Sequence, residues 1–360
     1  MIHIVLGTKA QLIKMAPIMA ELKKQGIEYN YIYTGQHQET MDKLLKNFDL
    51  KKPDITLYSG KDITGVGQMG LWMLRILYKT LRNKKKIFKG DKDGIVLVHG
   101  DTFSTLLGAL MGRFAGLKVG HVESGLRSFN LFNPFPEELT RVLTFKLSSH
   151  YYCAGKWALG NVKKYNGKKV NTVVNTMVDA QRLAIENQKK VNVDIPKEKY
   201  VVVTVHRYEN IFNKKQFEKI IEIIKETSKR IKVLFIMHPP TKKRLEEFGF
   251  MGRLKKNKNI ELRPRYDYFE FTKLLIGSEF VFSDGGSNQE ECSYLGKPCL
   301  LLRNETERKE GLGKNTVLSK FNEKVIKDFV KNYRKFKKKS VSEKASPSEM
   351  IVKDIRRFGK

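Results

Sequence analysis

Short apolar runs that each end in a cluster of polar residues constrain this chain more than any other feature. Residues 95–98 read Ile-Val-Leu-Val and pass straight into His99-Gly100-Asp101-Thr102. Residues 117–120 lead into His121-Val122-Glu123-Ser124, and a further acidic pair, Glu137-Glu138, follows Pro134 and Pro136. An apolar run of this length suits a strand buried on both faces, and such strands belong to parallel sheets covered by helices. In an open parallel sheet the carboxyl ends of the strands border the binding crevice. An aspartate before threonine is also an ordinary helix cap. Three acids at successive strand or loop ends ask for more than capping, so Asp101, Glu123 and Glu137, near His99, His121 and Glu138, form the candidate chemical centre.

The rest of the first half repeats the same unit. Residues 2–6 predict a strand, Gly7-Thr8 a tight turn, and 9–24 a helix with apolar positions Leu12, Ile13, Met15, Ile18, Met19 and Leu22. Backbone N–H groups at such a helix start suit a phosphate or a sugar hydroxyl. The turn lacks the glycines of a dinucleotide fingerprint, so no bound NAD is expected. Lys9 and Lys14 lie near this helix start. Further strands are expected at 29–33 and 151–153, with helices around 39–47, 65–83, 104–114, 137–148 and 157–165. Residues 170–174 mark the expected crossing into a second domain. Strand and helix alternate throughout, which predicts a doubly wound parallel α/β domain.

From residue 199 the pattern restarts. Residues 200–205 predict a strand ending in His206-Arg207, and 233–237 one ending in His238-Pro239-Pro240. Residues 260–263, 280–282 and 299–302 predict three more, the last of them taken as the final strand. Each is followed by a polar cluster, so this half reads as a second nucleotide-binding-type domain. Ser283-Asp284-Gly285-Gly286-Ser287 between a strand and a helix has the form of a phosphate cradle. Glu290-Glu291 one turn further would repel phosphate and suits ribose hydroxyls instead. The tail from about residue 323 is Lys-rich, its run at 335–339 reads as a solvated helix or linker, and Ser346-Pro347 as the start of a terminal helix.

Composition narrows the partners. Lys plus Arg total 69 against 38 acids, a net charge of +31. Such a balance can point to an anionic partner. The basic residues are scattered, however, and no zinc-finger spacing, basic zipper or RNA-binding aromatic motif accompanies them. A lysine-rich solvated surface is expected, with no nucleic acid partner. Three widely spaced cysteines (Cys153, Cys292, Cys299) give neither a disulfide framework nor a zinc pattern and suit a reducing cytoplasm. No run approaches the length of a membrane span, so stable membrane insertion is not expected.

These motifs carry a resemblance. GTKAQLIKMAPIMAEL, TGQH, VHGDT, HVESGLRS, NPFPEELTR, the HR of VTVHRYEN, QEECSYLGKPCLLLR and TERKEG stand in the order found in the UDP-N-acetylglucosamine 2-epimerase family. The resemblance, which runs over nearly the whole chain, implies the GT-B fold: two doubly wound Rossmann-like domains facing a central cleft. The implied domains are 1–172, with the acids, and 173–340, holding UDP, followed by a helix in 341–360 that packs back on the first. Asp101, Glu123 and Glu137 match the family's acidic catalytic set, and His206 its catalytic-site histidine. Lys14, Gly286, Ser287, Glu291 and Arg308 match UDP-binding positions, with Lys9 and Gly285 in the two turn motifs and Phe271 near the uracil.

The implied reaction eliminates UDP across C1–C2 of UDP-GlcNAc and re-adds it with C2 inverted, giving UDP-ManNAc. It needs no metal or cofactor, and a homodimer is expected. A hydrolysing epimerase releasing ManNAc and UDP, and a GT-B glycosyltransferase, are the alternatives. A non-enzymatic polyanion binder on the same fold is disfavoured by the intact acids. Lys9-Ala10-Gln11 stands where the family usually has Arg-Pro-Glu, SDGGSNQEE replaces TDSGGIQEE, and Gln38 and Tyr208 replace arginines.

Overall fold

The computed structural model describes the chain apart from residues 37–40, 61, 64–65, 132–134, 307, 341–345 and 360. His37, Gln38, Pro134 and Glu307 lie outside the described residues. The chain forms two compact units, Met1–Leu183 with Lys344–Lys360, and Ala184–Glu343.

Among the described residues, the first unit holds a seven-stranded sheet. Its strands are β1 (Ile2–Leu6), β2 (Tyr29–Tyr33), β3 (Ile55–Thr56), β4 (Ile95–His99), β5 (Lys118–Val122), β6 (His150–Cys153) and β7 (Lys168–Asn171). Their order is β3-β2-β1-β4-β5-β6-β7, and every pairing is parallel. β1, β2 and β4 are buried along their whole length, as the apolar runs required. Residues 168–171, near the expected crossing, complete this sheet by pairing with β6.

The second unit holds a six-stranded parallel sheet: β8 (Tyr200–Thr204), β9 (Lys232–Met237), β10 (Ile260–Pro264), β11 (Val281–Ser283), β12 (Cys299–Leu301) and β13 (Thr316–Leu318). Its order is β10-β9-β8-β11-β12-β13. The expected last strand at 299–302 is therefore followed by another. β13 is only three residues long and pairs with β12 from Cys299 to Leu301. The lysine-rich tail also contains a true helix, Glu323–Asn332, capped by Asn322, which buries Ile326 and Phe329. Expected helix 157–165 is shorter, Lys156–Asn161, and expected helix 65–83 extends as Val66–Ile87.

Both sheets reverse winding direction beside their first strand, between β1 and β4 and between β8 and β11. The backbone leaves opposite ways from those two strands, which opens a crevice at their carboxyl ends. In the first unit that point is flanked by Gly7-Thr8 and His99–Asp101. In the second it is flanked by His206 and Asp284.

The terminal helix Pro347–Ile355 belongs to the first unit and packs on the helix Lys9–Lys24. Ile351, Val352 and Ile355 are fully buried. Asp179 accepts from the Ser346 hydroxyl at 2.7 Å and from Ser348 N at 2.9 Å, supplementing the Ser346 cap. Tyr152 donates to Asp354 at 2.9 Å. No helix among the described residues is long and apolar enough to cross a membrane.

Candidate active site

The first turn after β1 is built around Gly7 and Gln11. A Cβ on Gly7 would lie 2.0 Å from Ser104 Oγ and 2.1 Å from Thr34 Oγ1, so only glycine fits. The Gln11 side-chain oxygen accepts from Gly7 N at 2.9 Å and Thr8 N at 3.1 Å. Its amide nitrogen donates to His99 O at 2.9 Å. A carboxylate could make the first two bonds but not the third, which accounts for glutamine where the family usually has glutamate. Gln11 thereby ties the β1 turn to the end of β4. Lys9 is the first residue of the helix that follows, with Thr8 as its cap.

After β4, Gly100 turns the chain with φ +70° and Thr102 caps the helix Phe103–Phe114. Asp101 is thus not the cap, and its side chain goes elsewhere. Its Oδ2 accepts from Arg141 Nε at 2.9 Å and also from Nη2. The Thr140 hydroxyl donates to the Asp101 carbonyl oxygen. Arg141 also donates through Nη1 to Glu138 at 3.2 Å. Glu138 is fully buried and accepts in addition from Arg127 Nε and, at 2.9 Å, from Ser128 N. Burial opposes its ionisation, but the Ser128 N–H, Arg127 and Arg141 together hold its carboxyl below the usual range. Glu138 is the anchor. Its neighbour Glu137 opens the helix Glu137–Leu147, with Oε2 buried and without a hydrogen-bond partner among the described residues.

Glu123 follows β5 with φ +62°, a left-handed backbone that a long side chain rarely adopts. Its Oε2 accepts from Lys14 Nζ at 2.6 Å and lies 3.0 Å from His99 Nε2. All three side chains are about 95% buried, at 5%, 6% and 5% exposure for Lys14, Glu123 and His99. Lys14, matched to UDP binding by resemblance, therefore lies against an acid of the catalytic set. The structure thus joins Lys14 to Glu123 after β5, places Asp101 after the adjacent β4, and ties Asp101 through Thr140 and Arg141 to the helix that Glu137 opens.

The second unit carries the remaining candidates. Buried Asp284, just after β11, accepts from His206 N at 3.1 Å, Arg207 N at 2.9 Å and Asn210 Nδ2 at 2.9 Å. His206 stacks on His238, with centroids 4.4 Å apart and planes inclined by 19°. Burial lowers the His206 imidazole below its ordinary value; Asp284 opposes this, while Arg207 and Arg265 reinforce it. Burial, with His206 and Arg265, pushes His238 down to about 3. A Cβ on Gly285 would meet Asn288 Oδ1 at 2.7 Å and His206 Cε1 at 3.0 Å, so the loop closes on the imidazole only with glycine there.

Gly286 and Ser287 begin the helix Gly286–Leu295, which has no side-chain cap. Its first N–H groups are the kind that receive an anion. Asn288 is bonded to Ser283 and to Glu291 Oε2, both at 3.0 Å. Glu290 turns inward, receiving Arg308 Nη1 at 2.9 Å and Tyr294 OH at 3.1 Å. The acidic pair thus divides: Glu290 holds Arg308 in place, and Glu291 braces the cradle loop. Phe271 packs on the apolar cluster that contains Leu274, Leu275 and Cys292.

A sequence profile of the UDP-N-acetylglucosamine 2-epimerase family matches residues 20–350. A UDP-N-acetylglucosamine 2-epimerase of Methanococcus maripaludis is 38% identical over 328 residues, 88% of this chain and 86% of the relative. The chain belongs to the UDP-N-acetylglucosamine 2-epimerase family. The family enzyme of Methanocaldococcus jannaschii is 36% identical over 343 residues, 91% of this chain and 90% of its own. Its solved structure in complex with UDP-GlcNAc and UDP matches with TM-score 0.79 and 31% identity, covering 99% of both chains. The enzyme from Neisseria meningitidis, bound to UDP-GlcNAc, gives 0.83 at 27% identity, again over 99% of both. The two Rossmann-like units with the returning terminal helix are the GT-B fold of these epimerases.

Two residues central to this candidate site carry no signal of their own in the sequence: Arg141 is one more arginine inside a motif, and Asp284 one letter of a loop string. His99 stands beside the candidate acids in the sequence, but its contact with Glu123 does not show there. Their partners lie far along the chain, so composition and spacing carry no signal for them. The carboxylate needs of Glu138 were hidden by its twin, Glu137.

His121 gives this site a pH signature. It is fully buried, its Nε2 bonds to Gly100 O at 2.7 Å, and burial pushes its imidazole down to about 4. His99 opposes protonation, whereas Asp101 and Glu123 favour it more weakly. An unfolded histidine titrates near 6.5. Between these values the unfolded chain binds the extra proton, so stability is full above about pH 6.5 and falls as pH drops toward 4. Urea unfolding of the first unit should lose on the order of 3 kcal/mol across that window, and His121→Asn should lose that much less. Equal pH slopes for the two proteins would contradict it.

Proposed function

We propose that this protein interconverts UDP-GlcNAc and UDP-ManNAc by elimination and re-addition of UDP, without metal or cofactor, to supply a surface-polysaccharide precursor. The observation that supports the reading is that Asp101 and Glu123 follow the adjacent strands β4 and β5, gripped by Arg141 and Lys14, while Glu137 opens the helix that carries Arg141, in a chain of this family. Removing the weakly acidic C2 proton of the sugar needs a carboxylate held in position. As that proton moves to a carboxylate, the C2–H electron pair forms the C1=C2 bond of the glycal and the C1–O bond to UDP breaks. In the second half-reaction a UDP oxygen attacks C1, and C2 takes a proton on the opposite face from a carboxylic acid. Two faces require separately placed groups, which three acids on different loops supply.

The departing diphosphate needs donors. The uncapped helix start at Gly286-Ser287 with Gly285, and His206 with Arg308, support this role. Lys9 and Lys14 are assigned to the sugar-nucleotide, with Phe271 toward the base and Glu291 toward the ribose. The three cysteines are all free and buried, which suits a cytoplasmic setting.

The reading includes a homodimer. On the helix Val66–Ile87, Leu71, Leu74, Tyr78 and Leu81 are 61%, 65%, 58% and 54% exposed, while Trp72, Ile76 and Thr80 face inward. Spaced three and four apart, the exposed four form one apolar stripe, and large apolar stripes are rarely left to water.

NMR with UDP-GlcNAc in deuterated water tests the chemistry. The expected product is UDP-ManNAc with deuterium at C2. Free ManNAc with UDP would establish the hydrolysing outcome instead, and an unchanged substrate would refute the assignment. Light scattering tests the stripe: wild type should run at twice the chain mass and Leu74→Glu at a single chain mass. A monomeric wild type would refute the dimer.

A further inference from the structure

His99 ends β4 with two distinct surroundings. Its carbonyl oxygen accepts from Gln11 and from the Thr105 hydroxyl, which fixes its backbone. Its ring is buried, and Nε2 points at the carboxylate of Glu123, 3.0 Å from Oε2. The approach is not aligned for a hydrogen bond, and Nε2 has no hydrogen-bond partner among the described residues. A buried polar atom left so is costly. The oxygen it faces is the one that receives Lys14 Nζ at 2.6 Å. Around this pair stand Lys14 from the helix Lys9–Lys24, His121 from β5 and Asp101 from the turn after β4.

We propose that His99 is a positioning residue for Glu123. The inference rests on the epimerase reading. With the sugar-nucleotide held, the Nε2–H of His99 closes on Glu123 Oε2. Lys14 and His99 then hold one carboxylate oxygen and leave the other directed at C2. Catalytic hydrogen bonds commonly come into line only when substrate is held. The left-handed backbone of Glu123 serves the same end, because strain of this kind persists where surrounding contacts enforce a functional side-chain direction. His99 exchanges no proton in this role: the C2 proton passes to Glu123, and the imidazole keeps its own.

Three substitutions test this in the full chain. His99→Gln places an amide N–H close to where Nε2 stands, His99→Asn is polar but too short to reach Glu123, and His99→Leu keeps bulk without a donor. Deuterium wash-in at C2 of UDP-GlcNAc, kcat, KM and the urea midpoint are measured for each. Asn and Leu should lower kcat and wash-in by about 100-fold with KM within about threefold, the size of effect expected for a misplaced catalytic group. Gln should recover at least about tenfold of that loss, with all midpoints near wild type.

Wild-type kcat in His99→Asn or His99→Leu would overturn the proposal, as would equal losses in all three variants that follow a lowered midpoint. Gln and Asn settle the matter if Leu fails to fold. A wild-type protein with no C2 exchange would overturn the epimerase reading, and this inference with it. A wild type that exchanges C2 beside an equally active His99→Asn would overturn this inference alone.

Discussion

The guanidinium of Arg141 is the contact on which the first unit's candidate site depends. It receives no support from regular structure: it reaches from the second turn of one helix to the loop after another strand. Two of its nitrogens bond to Asp101, and a third to buried Glu138. Glu138 in turn gathers the 127–128 segment. The planar fork therefore fixes three things at once: the direction of Asp101, the docking of the helix Glu137–Leu147, and hence the place of Glu137 at its first position. A lysine could supply the charge but not the fork. Burying carboxylates so closely is costly unless each is paired and hydrogen-bonded. The arginine makes that crowding possible, and Lys14 does the same for Glu123.

The second unit solves a related problem with an anion. Asp284 is buried at the other switch point and accepts from two backbone N–H groups and one amide. It fixes the turn that carries His206, and the adjoining Gly285 lets the cradle loop lie against the imidazole. Each unit thus places one buried, hydrogen-bonded group against the residues that follow its switch-point strands, Arg141 against Asp101 and Asp284 against His206. These groups hold candidate side chains in place, and the scattered surface lysines behind the +31 charge take no part in them.

Much of this was legible in the sequence. The short apolar runs fixed the parallel sheets, and the polar clusters after them located both switch points, because the strand ends of such a sheet are where side chains converge. What escaped had physical causes. β13 is three residues long, too short for an alternation or a run to register. The helix Glu323–Asn332 buries two side chains among many lysines, so its polar face dominated its composition. Arg141 and Asp284 bond to partners that are adjacent only after folding, as His99 does with Glu123. The left-handed conformation of Glu123 follows from its loop, and a glutamate gives no hint of it. Glu290 and Glu291 read as one acidic pair, yet Arg308 claims one and Asn288 the other.

The central claim is that Arg141, by fixing Asp101 and the helix that Glu137 opens, sets the proposed acid/base groups of the first unit. Arg141→Lys tests it most directly, with deuterium wash-in at C2 of UDP-GlcNAc measured beside the unfolding free energy. The account predicts that wash-in falls by about 100-fold, as expected when catalytic groups are misplaced by about an ångström, while the protein remains folded. Wild-type exchange in a stably folded Arg141→Lys protein would contradict it.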